Sequence, residues 1–249
     1  MTSTASQSFT IAITGTNRGI GLGMALAAGA RGHRVLTHAR LAAPAEAVAQ
    51  RVSAAGGMAA AVSGDIREPE LGAKILSTAR ASFGQVPRVV ILSAGILGPA
   101  IPLADMAQAD FERVLEVNVN AQFSITRALI PAMLAAGGGA LIFLTSGLGR
   151  FALPGYAAYT VSKHAVEGLA KQVDADHGAQ GLRSVCVAPG MVQTDMLRAA
   201  LGTDDVSAHE TVERCGQGFV RLVEELAGPD GQALSGKSLD IDRWLPPVV

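Results

Sequence analysis

Tyr159 and Lys163 stand four residues apart in the run Tyr159-Thr160-Val161-Ser162-Lys163. On a helix, positions i and i+4 share one face, so a phenol and an ammonium at this spacing can enter the same pocket. A free tyrosine has a pKa of about 10 and is a poor base at neutral pH. A nearby cation favours the phenolate and is expected to lower that pKa. Such a pair can give a proton to a carbonyl oxygen or take one from an alcohol. The chain has two tyrosines, and Tyr156 has a threonine, not a lysine, four places on, so Tyr159 is the candidate. Taken alone, the spacing is also that of an ordinary helix-surface pair.

A second run carries binding chemistry. Thr14-Gly15-Thr16-Asn17-Arg18-Gly19-Ile20-Gly21 lies between an apolar run and a helical pattern. Glycines there let the backbone turn sharply and come close to a phosphate. The helix N-terminus that follows offers free N–H groups and a positive dipole end. The spacing G-x-x-x-G-x-G reads as a pyrophosphate loop, or as a turn that holds no ligand.

These residues resemble the Gly-rich and Y-x-x-x-K motifs of the short-chain dehydrogenase/reductase family, and the resemblance extends over almost the whole chain. It implies an oxidoreductase that uses a nicotinamide dinucleotide. Ser146, thirteen residues before Tyr159, matches the serine that hydrogen-bonds the substrate oxygen; a neutral hydroxyl there can orient a carbonyl and stabilise developing charge. Asn118, in Val117-Asn118-Val119-Asn120, matches the family's fourth catalytic residue, which positions a water linking the lysine to solvent. Asn120 is the alternative, and register favours Asn118. Lys163 matches the lysine that also holds the nicotinamide ribose. Asp65, in Gly64-Asp65-Ile66, matches an aspartate that bonds the adenine amino group, although a cap for the next helix explains it as well. Ala94 and Gly95 leave room for the adenosine ribose. Ser93 replaces the family's usual Asn, and a weaker tie between adjacent strands is expected there. Pro189, Gly190, Val192 and Thr194 resemble the segment that meets the nicotinamide carboxamide. Asn17, Ile20 and Ile66 complete the expected cofactor contacts.

The phosphate pattern favours NADP(H). Enzymes that use NAD place an acidic residue at the end of the second strand, against the ribose 2′-hydroxyl. Here that strand ends Thr37-His38-Ala39-Arg40, and by the family's register Ala39 holds the acidic position. Arg18 and Arg40 offer guanidinium groups suited to a 2′-phosphate. His38 reads as a packed strand residue.

Nearly all-apolar short runs alternate with helical patterns, which implies a parallel sheet covered on both faces. Strands are expected at Phe9–Thr14, Arg34–Thr37, Met58–Val62, Val89–Leu92, Ala140–Leu144, Arg183–Val187 and Ser238–Ile241. Helices are expected from about Ile20 to Ala30, then Pro44–Ala55, Glu68–Ser82, a long and bent one from Met106 to about Ala135, Tyr156–His177, and stretches between Met196 and Ala227. The fold class is therefore α/β: a single-domain Rossmann-type doubly wound parallel sheet of about seven strands, spanning 1–249. Residues 1–8 are read as a flexible N-terminus and 191–215 as the substrate-loop region. Loops 14–21, 38–40, 63–66, 93–98, 145–150 and 188–195 should converge beyond the carboxyl ends of the strands.

Composition excludes several other classes. Hydrophobic residues make up 49% of the 249 and charged residues 16%, which argues against disorder. A net charge of −1 with no basic run argues against nucleic acid. Cys186 and Cys215 show no metal-ligand spacing, so no metal is expected, and a reduced, cytoplasmic compartment is the simpler reading. The uncharged stretch 128–149 is long enough to tempt a membrane assignment, but Pro131 and Gly137-Gly138-Gly139 break it into a helix end, a turn and a strand.

The expected walls of the substrate site are Ile96, Leu97, Leu148, Phe151, Leu153 and Tyr156, with Met191, Met196, Leu197 and Leu201 in the lid beside Asp204 and Asp205. They favour a hydrophobic ketone or secondary alcohol. The alternative is a non-catalytic NADP(H)-binding sensor or scaffold of the same fold. The resemblance also implies a tetramer or dimer, and the small residues Ala165, Gly168 and Ala170 would allow close helix packing.

Overall fold

The computed structural model describes residues 8–247; most of the N-terminal stretch expected to be flexible lies outside them. Seven strands form one sheet: β1 (Thr10–Ile13), β2 (Arg34–Ala39), β3 (Met58–Ser63), β4 (Val89–Leu92), β5 (Gly139–Leu144), β6 (Leu182–Ala188) and β7 (Ser238–Asp240). Their order is β3-β2-β1-β4-β5-β6-β7, and every neighbouring pair is parallel. The direction of winding reverses between β1 and β4, the position where open α/β sheets leave a crevice for ligands.

Burial on both faces explains the unbroken apolar strands. β1, β4 and β5 are buried along their whole length. Side chains alternate between two cores. Ile11 and Ile13 join Met24 and Phe219 on one face, while Ala12 between them joins Leu129 and Phe143 on the other. Each fully buried large side chain contributes roughly 1.5–3 kcal/mol, so the sheet is a rigid base for the loops above it.

The helices are α1 (Gly19–Ala30), α2 (Ala42–Ala54), α3 (Leu71–Phe83), α4 (Gln108–Leu115), α5 (Ala121–Ala135), α6 (Ala157–His177), α7 (Asp195–Leu201) and α8 (Val212–Ala227). Three departures from the sequence expectation go beyond shifts of one or two residues at element ends. First, α3 begins at Leu71 rather than Glu68, because Glu68 turns back. Its carboxylate accepts from the Asp65 amide at 2.9 Å, and its own amide donates to the Asp65 carbonyl at 2.9 Å. Second, the long helix is interrupted by a π-helical segment, Glu116–Asn120, which carries Asn118. Third, α7 and α8 are separate, because a loop over 202–211 folds back on the start of the lid, with Gln193 N–H donating to the Glu210 carbonyl at 2.9 Å.

The expected weak tie at Ser93 does not arise. The Thr14 hydroxyl oxygen accepts from the backbone amides of Ser93 (3.0 Å) and Ala94 (3.1 Å), so the β1–β4 junction is fastened without the side chain at 93. The small residues of α6 divide: Ala170 lies in the core beneath the helix, while Ala165 and Gly168 are exposed. Among the described residues, no helix is long and apolar enough to cross a membrane.

Candidate active site

The glycine loop follows β1 and opens α1. Gly15 and Gly19 have φ of 74° and 56°, which side chains other than glycine's rarely adopt. A Cβ on Gly21 would stand 2.1 Å from the Gly15 carbonyl oxygen, so the first turn of α1 must pass directly over the loop. No side chain caps α1, and no acid lies in its first turn. The loop thus presents backbone donors and a positive helix end to an anion. Asn17 and Arg18 are exposed at its rim, while Ile20 packs toward the core.

Ala39 at the end of β2 is buried, and Arg40 beside it is exposed. Arg18 also reaches solvent, where its guanidinium lies 3.4 Å from the Asp195 carboxylate at the start of α7. An exposed pair at that distance contributes little and is readily exchanged. No carboxylate occupies the strand end, so the residues present fit a 2′-phosphate.

Asp65 lies past β3, and its carboxylate is gripped by Arg67, which donates from Nε and Nη2, both at 2.9 Å. These bonds hold its pKa down at about 2. Arg67 was not singled out from the sequence; its position two residues after Asp65 was the available signal. Ile66 packs against the core.

Tyr159 and Lys163 occupy the first two turns of α6, and Ser146 follows β5. The Ser146 hydroxyl is near enough to the Tyr159 phenol to favour its ionised form. Ser146 also accepts from the Leu148 amide at 3.2 Å, which fixes its rotamer. Lys163 is buried; its Nζ donates to the Leu144 carbonyl at 2.8 Å and lies 5.4 Å from the centre of the Tyr159 ring. Asn118 is fully buried. Its Nδ2 donates to the Ile96 carbonyl (2.8 Å) and to Ser162 Oγ (3.0 Å), and its Oδ1 accepts from the Ile96 amide (2.8 Å). The side chain therefore braces the π segment against the β4 loop and α6. Gly95 sits between these groups: a Cβ there would stand 3.2 Å from Asn118 Oδ1 and 3.9 Å from Lys163 Nζ.

One expectation is corrected. The lysine does not bring the tyrosine's pKa below its ordinary value in this arrangement. Burial pushes Tyr159 up to about 12, opposed by the neighbouring Ser146 hydroxyl, and burial pushes Lys163 down to about 8. Desolvation wins because the ammonium is directed at a carbonyl oxygen rather than at the phenol.

Pro189 and Gly190 lead from β6 into the substrate-loop region. Val192 turns its side chain into the core. Thr194 Oγ1 accepts from the Leu197 amide at 3.2 Å and donates to the Val192 carbonyl at 3.1 Å, capping α7. Phe151, Leu153, Met191, Met196 and Leu201 are large apolar residues left exposed. Tyr156, expected as a wall, also works as a strap: its hydroxyl donates to the Ala200 carbonyl near the end of α7. Arg150 anchors the serine loop to β7, with Nη1 donating to Asp240 Oδ2 at 2.8 Å. Neither contact was legible in the sequence, because each joins segments more than forty residues apart. Cys186 and Cys215 are buried and free. Among the described residues, no cluster of three His, Cys, Asp or Glu residues could hold a metal ion.

Residues 9–204 match the family model of the short chain dehydrogenases. The chain is 30% identical over 246 residues to the NADPH-dependent aldehyde reductase-like protein, chloroplastic, of Arabidopsis thaliana, covering 92% of this chain and 91% of the other. It is 30% identical over 232 residues to the cyclohexanol dehydrogenase of an Acinetobacter species (strain SE19), covering 92% of each. A short chain dehydrogenase of Shigella flexneri 2a, solved in complex with NADP, superposes with a TM-score of 0.84 at 25% identity, covering 96% of this chain and 99% of the other. This chain belongs to the short-chain dehydrogenase/reductase family of oxidoreductases.

Proposed function

We propose that this protein is an NADP(H)-dependent carbonyl reductase or alcohol dehydrogenase. It acts on a hydrophobic ketone or secondary alcohol, with Tyr159 as the proton donor and acceptor. The observation that carries the reading is the Ser146 hydroxyl acting on the buried Tyr159 phenol, backed by Lys163 and Asn118, beside a glycine loop at the same sheet edge. The nicotinamide, when bound, supplies or accepts the hydride.

The chain's own residues supply the rest. At neutral pH a phenol with its pKa near 12 is protonated, so Tyr159 stands ready as an acid toward a carbonyl oxygen. Ser146 orients that oxygen and shares the charge that develops on it. Lys163 places a positive charge behind the phenol, which stabilises the phenolate left after donation. Asn118 holds α6 in register with the β4 loop. Arg18 and Arg40 would hold the 2′-phosphate, and Asp65, Ala94 and Gly95 the adenosine. Pro189, Gly190, Val192 and Thr194 would meet the nicotinamide through the backbone and the cap of α7. The exposed apolar rim and the aldehyde and cyclohexanol named for two relatives support an uncharged, apolar carbonyl substrate. The same reading expects a cytoplasmic dimer or tetramer.

NADPH consumption over a panel of ketones and aldehydes tests it. Turnover of apolar carbonyl compounds is the expected result. NADPH binding with no turnover of any compound would favour a sensor instead.

A further inference from the structure

His38 lies on β2, one residue before its end, and is only 4% exposed. Both of its ring nitrogens are engaged. The Gly15 N–H donates to Nδ1 at 3.2 Å, and Nε2 lies 3.0 Å from the Gly64 carbonyl oxygen. An amide N–H can only donate and a carbonyl oxygen can only accept. The ring must therefore accept at Nδ1 and donate from Nε2, which only the neutral Nε2–H form can do.

The His38 backbone reinforces the link. Its carbonyl accepts from Thr16 N–H at 2.8 Å, and its amide donates to Thr16 Oγ1 at 3.1 Å. One residue thus joins the first turn of the glycine loop to the turn after β3. A second proton on the ring would set Nδ1–H against Gly15 N–H, two donors facing each other in a buried place.

We propose that His38 is a positioning residue for the dinucleotide cradle: its neutral ring pins the Gly15 amide and so holds the loop 15–21 in the shape that receives NADP(H), and protonation releases the pin and weakens cofactor binding. The inference rests on the NADP(H) reading above. The charges acting on the ring from the β3 side are Glu68 and Asp65, both of which favour the cation. On the β1 side the loop presents the Gly15 amide and the Thr16 hydroxyl. The charged groups of that loop and of the β2 end are Arg18 and Arg40, both exposed. Burial outweighs the Gly64 carbonyl bond and the two acids and keeps the ring below its ordinary pKa.

Two measurements test this. In the cofactor-free protein, imidazole nitrogen NMR at neutral pH should show the Nε2–H tautomer; an Nδ1–H tautomer or a cation overturns the proposal. In the second, NADPH Kd is followed from about pH 8 down to about pH 4.5 in wild type, His38→Asn and His38→Leu, with folding checked at each pH. An Asn Oδ1 can accept from Gly15 where Nδ1 does, and it does not titrate. A 2′-phosphate itself titrates near pH 6, which weakens binding in every protein, so the difference between profiles is the readout.

At pH 8, His38→Asn should bind within about threefold of wild type and His38→Leu roughly fivefold to tenfold more weakly. As pH falls through the ring's lowered pKa, wild type should lose affinity that His38→Asn keeps, by roughly fivefold to tenfold once the ring is charged. Parallel profiles, or an Asn variant no better than Leu at pH 8, overturn the proposal. Failure of wild type to bind NADPH at any pH is a different result, which sinks the cofactor reading and this inference with it.

Discussion

Lys163 directs its ammonium at the Leu144 carbonyl, 2.8 Å away, while the same nitrogen lies 5.4 Å from the centre of the Tyr159 ring. The two side chains share a helix face, but the lysine acts on the phenol as a field rather than as a bonded partner. With Tyr159 pushed up to about 12 and Lys163 down to about 8, the lysine is the first of the pair to change charge as pH rises. Ketone reduction should therefore fall as pH passes about 8, with the phenol still protonated. A kcat/KM profile should show that limb in wild type and lose it in Lys163→Met, on a rate lower by roughly tenfold or more. A wild-type profile flat to pH 10 would contradict the assignment.

Cofactor preference follows from the β2 end. Arg18→Ala and Arg40→Ala should each weaken NADPH binding by roughly tenfold or more, the worth of a charge-assisted bond, and leave NADH binding nearly unchanged. Ala39→Asp should shift the kcat/KM ratio toward NADH by placing a carboxylate against the 2′-phosphate. Equal losses for both cofactors in the Arg variants would show that neither guanidinium reads the phosphate.

Asp65 offers a check that needs no cofactor. Its carboxyl is held from 3.8 down to about 2, chiefly by the Arg67 bonds. A carboxyl with a depressed folded pKa contributes stability that is present above its unfolded value and is lost as pH falls through the folded one. Wild type should thus lose this contribution between about pH 4 and pH 2. Arg67→Ala should return Asp65 toward the ordinary range in a carbon-detected NMR titration and lessen that acid-side loss. An unmoved Asp65 titration would contradict the assignment.

The sheet was legible because buried parallel strands leave continuous apolar runs, and glycines and polar loops punctuate them. The positions of Tyr159, Ser146 and the glycine loop at one sheet edge follow from that alternation. Other features needed the third dimension. Asn118 sits in a π-helical segment, whose extra residue per turn leaves no periodic trace over five positions. The start of α3 moved because Glu68 bonds back to Asp65, which a helical pattern cannot distinguish from a first turn. His38 read as a packed strand residue, since its two partners, Gly15 and Gly64, lie 23 and 26 residues away in sequence. Spacing shows that the lysine is near Tyr159, but not that its ammonium is directed at a carbonyl, so it does not show the direction of the phenol's shift.

The central claim is that the Tyr159 hydroxyl moves the proton. Its most direct test is single-turnover reduction of an apolar ketone by NADPH-loaded enzyme, with wild type and Tyr159→Phe compared at equal cofactor saturation. The account predicts a loss of roughly 10²–10⁴ in the rate with NADPH Kd unchanged. A Phe variant that reduces the ketone at the wild-type rate would contradict it.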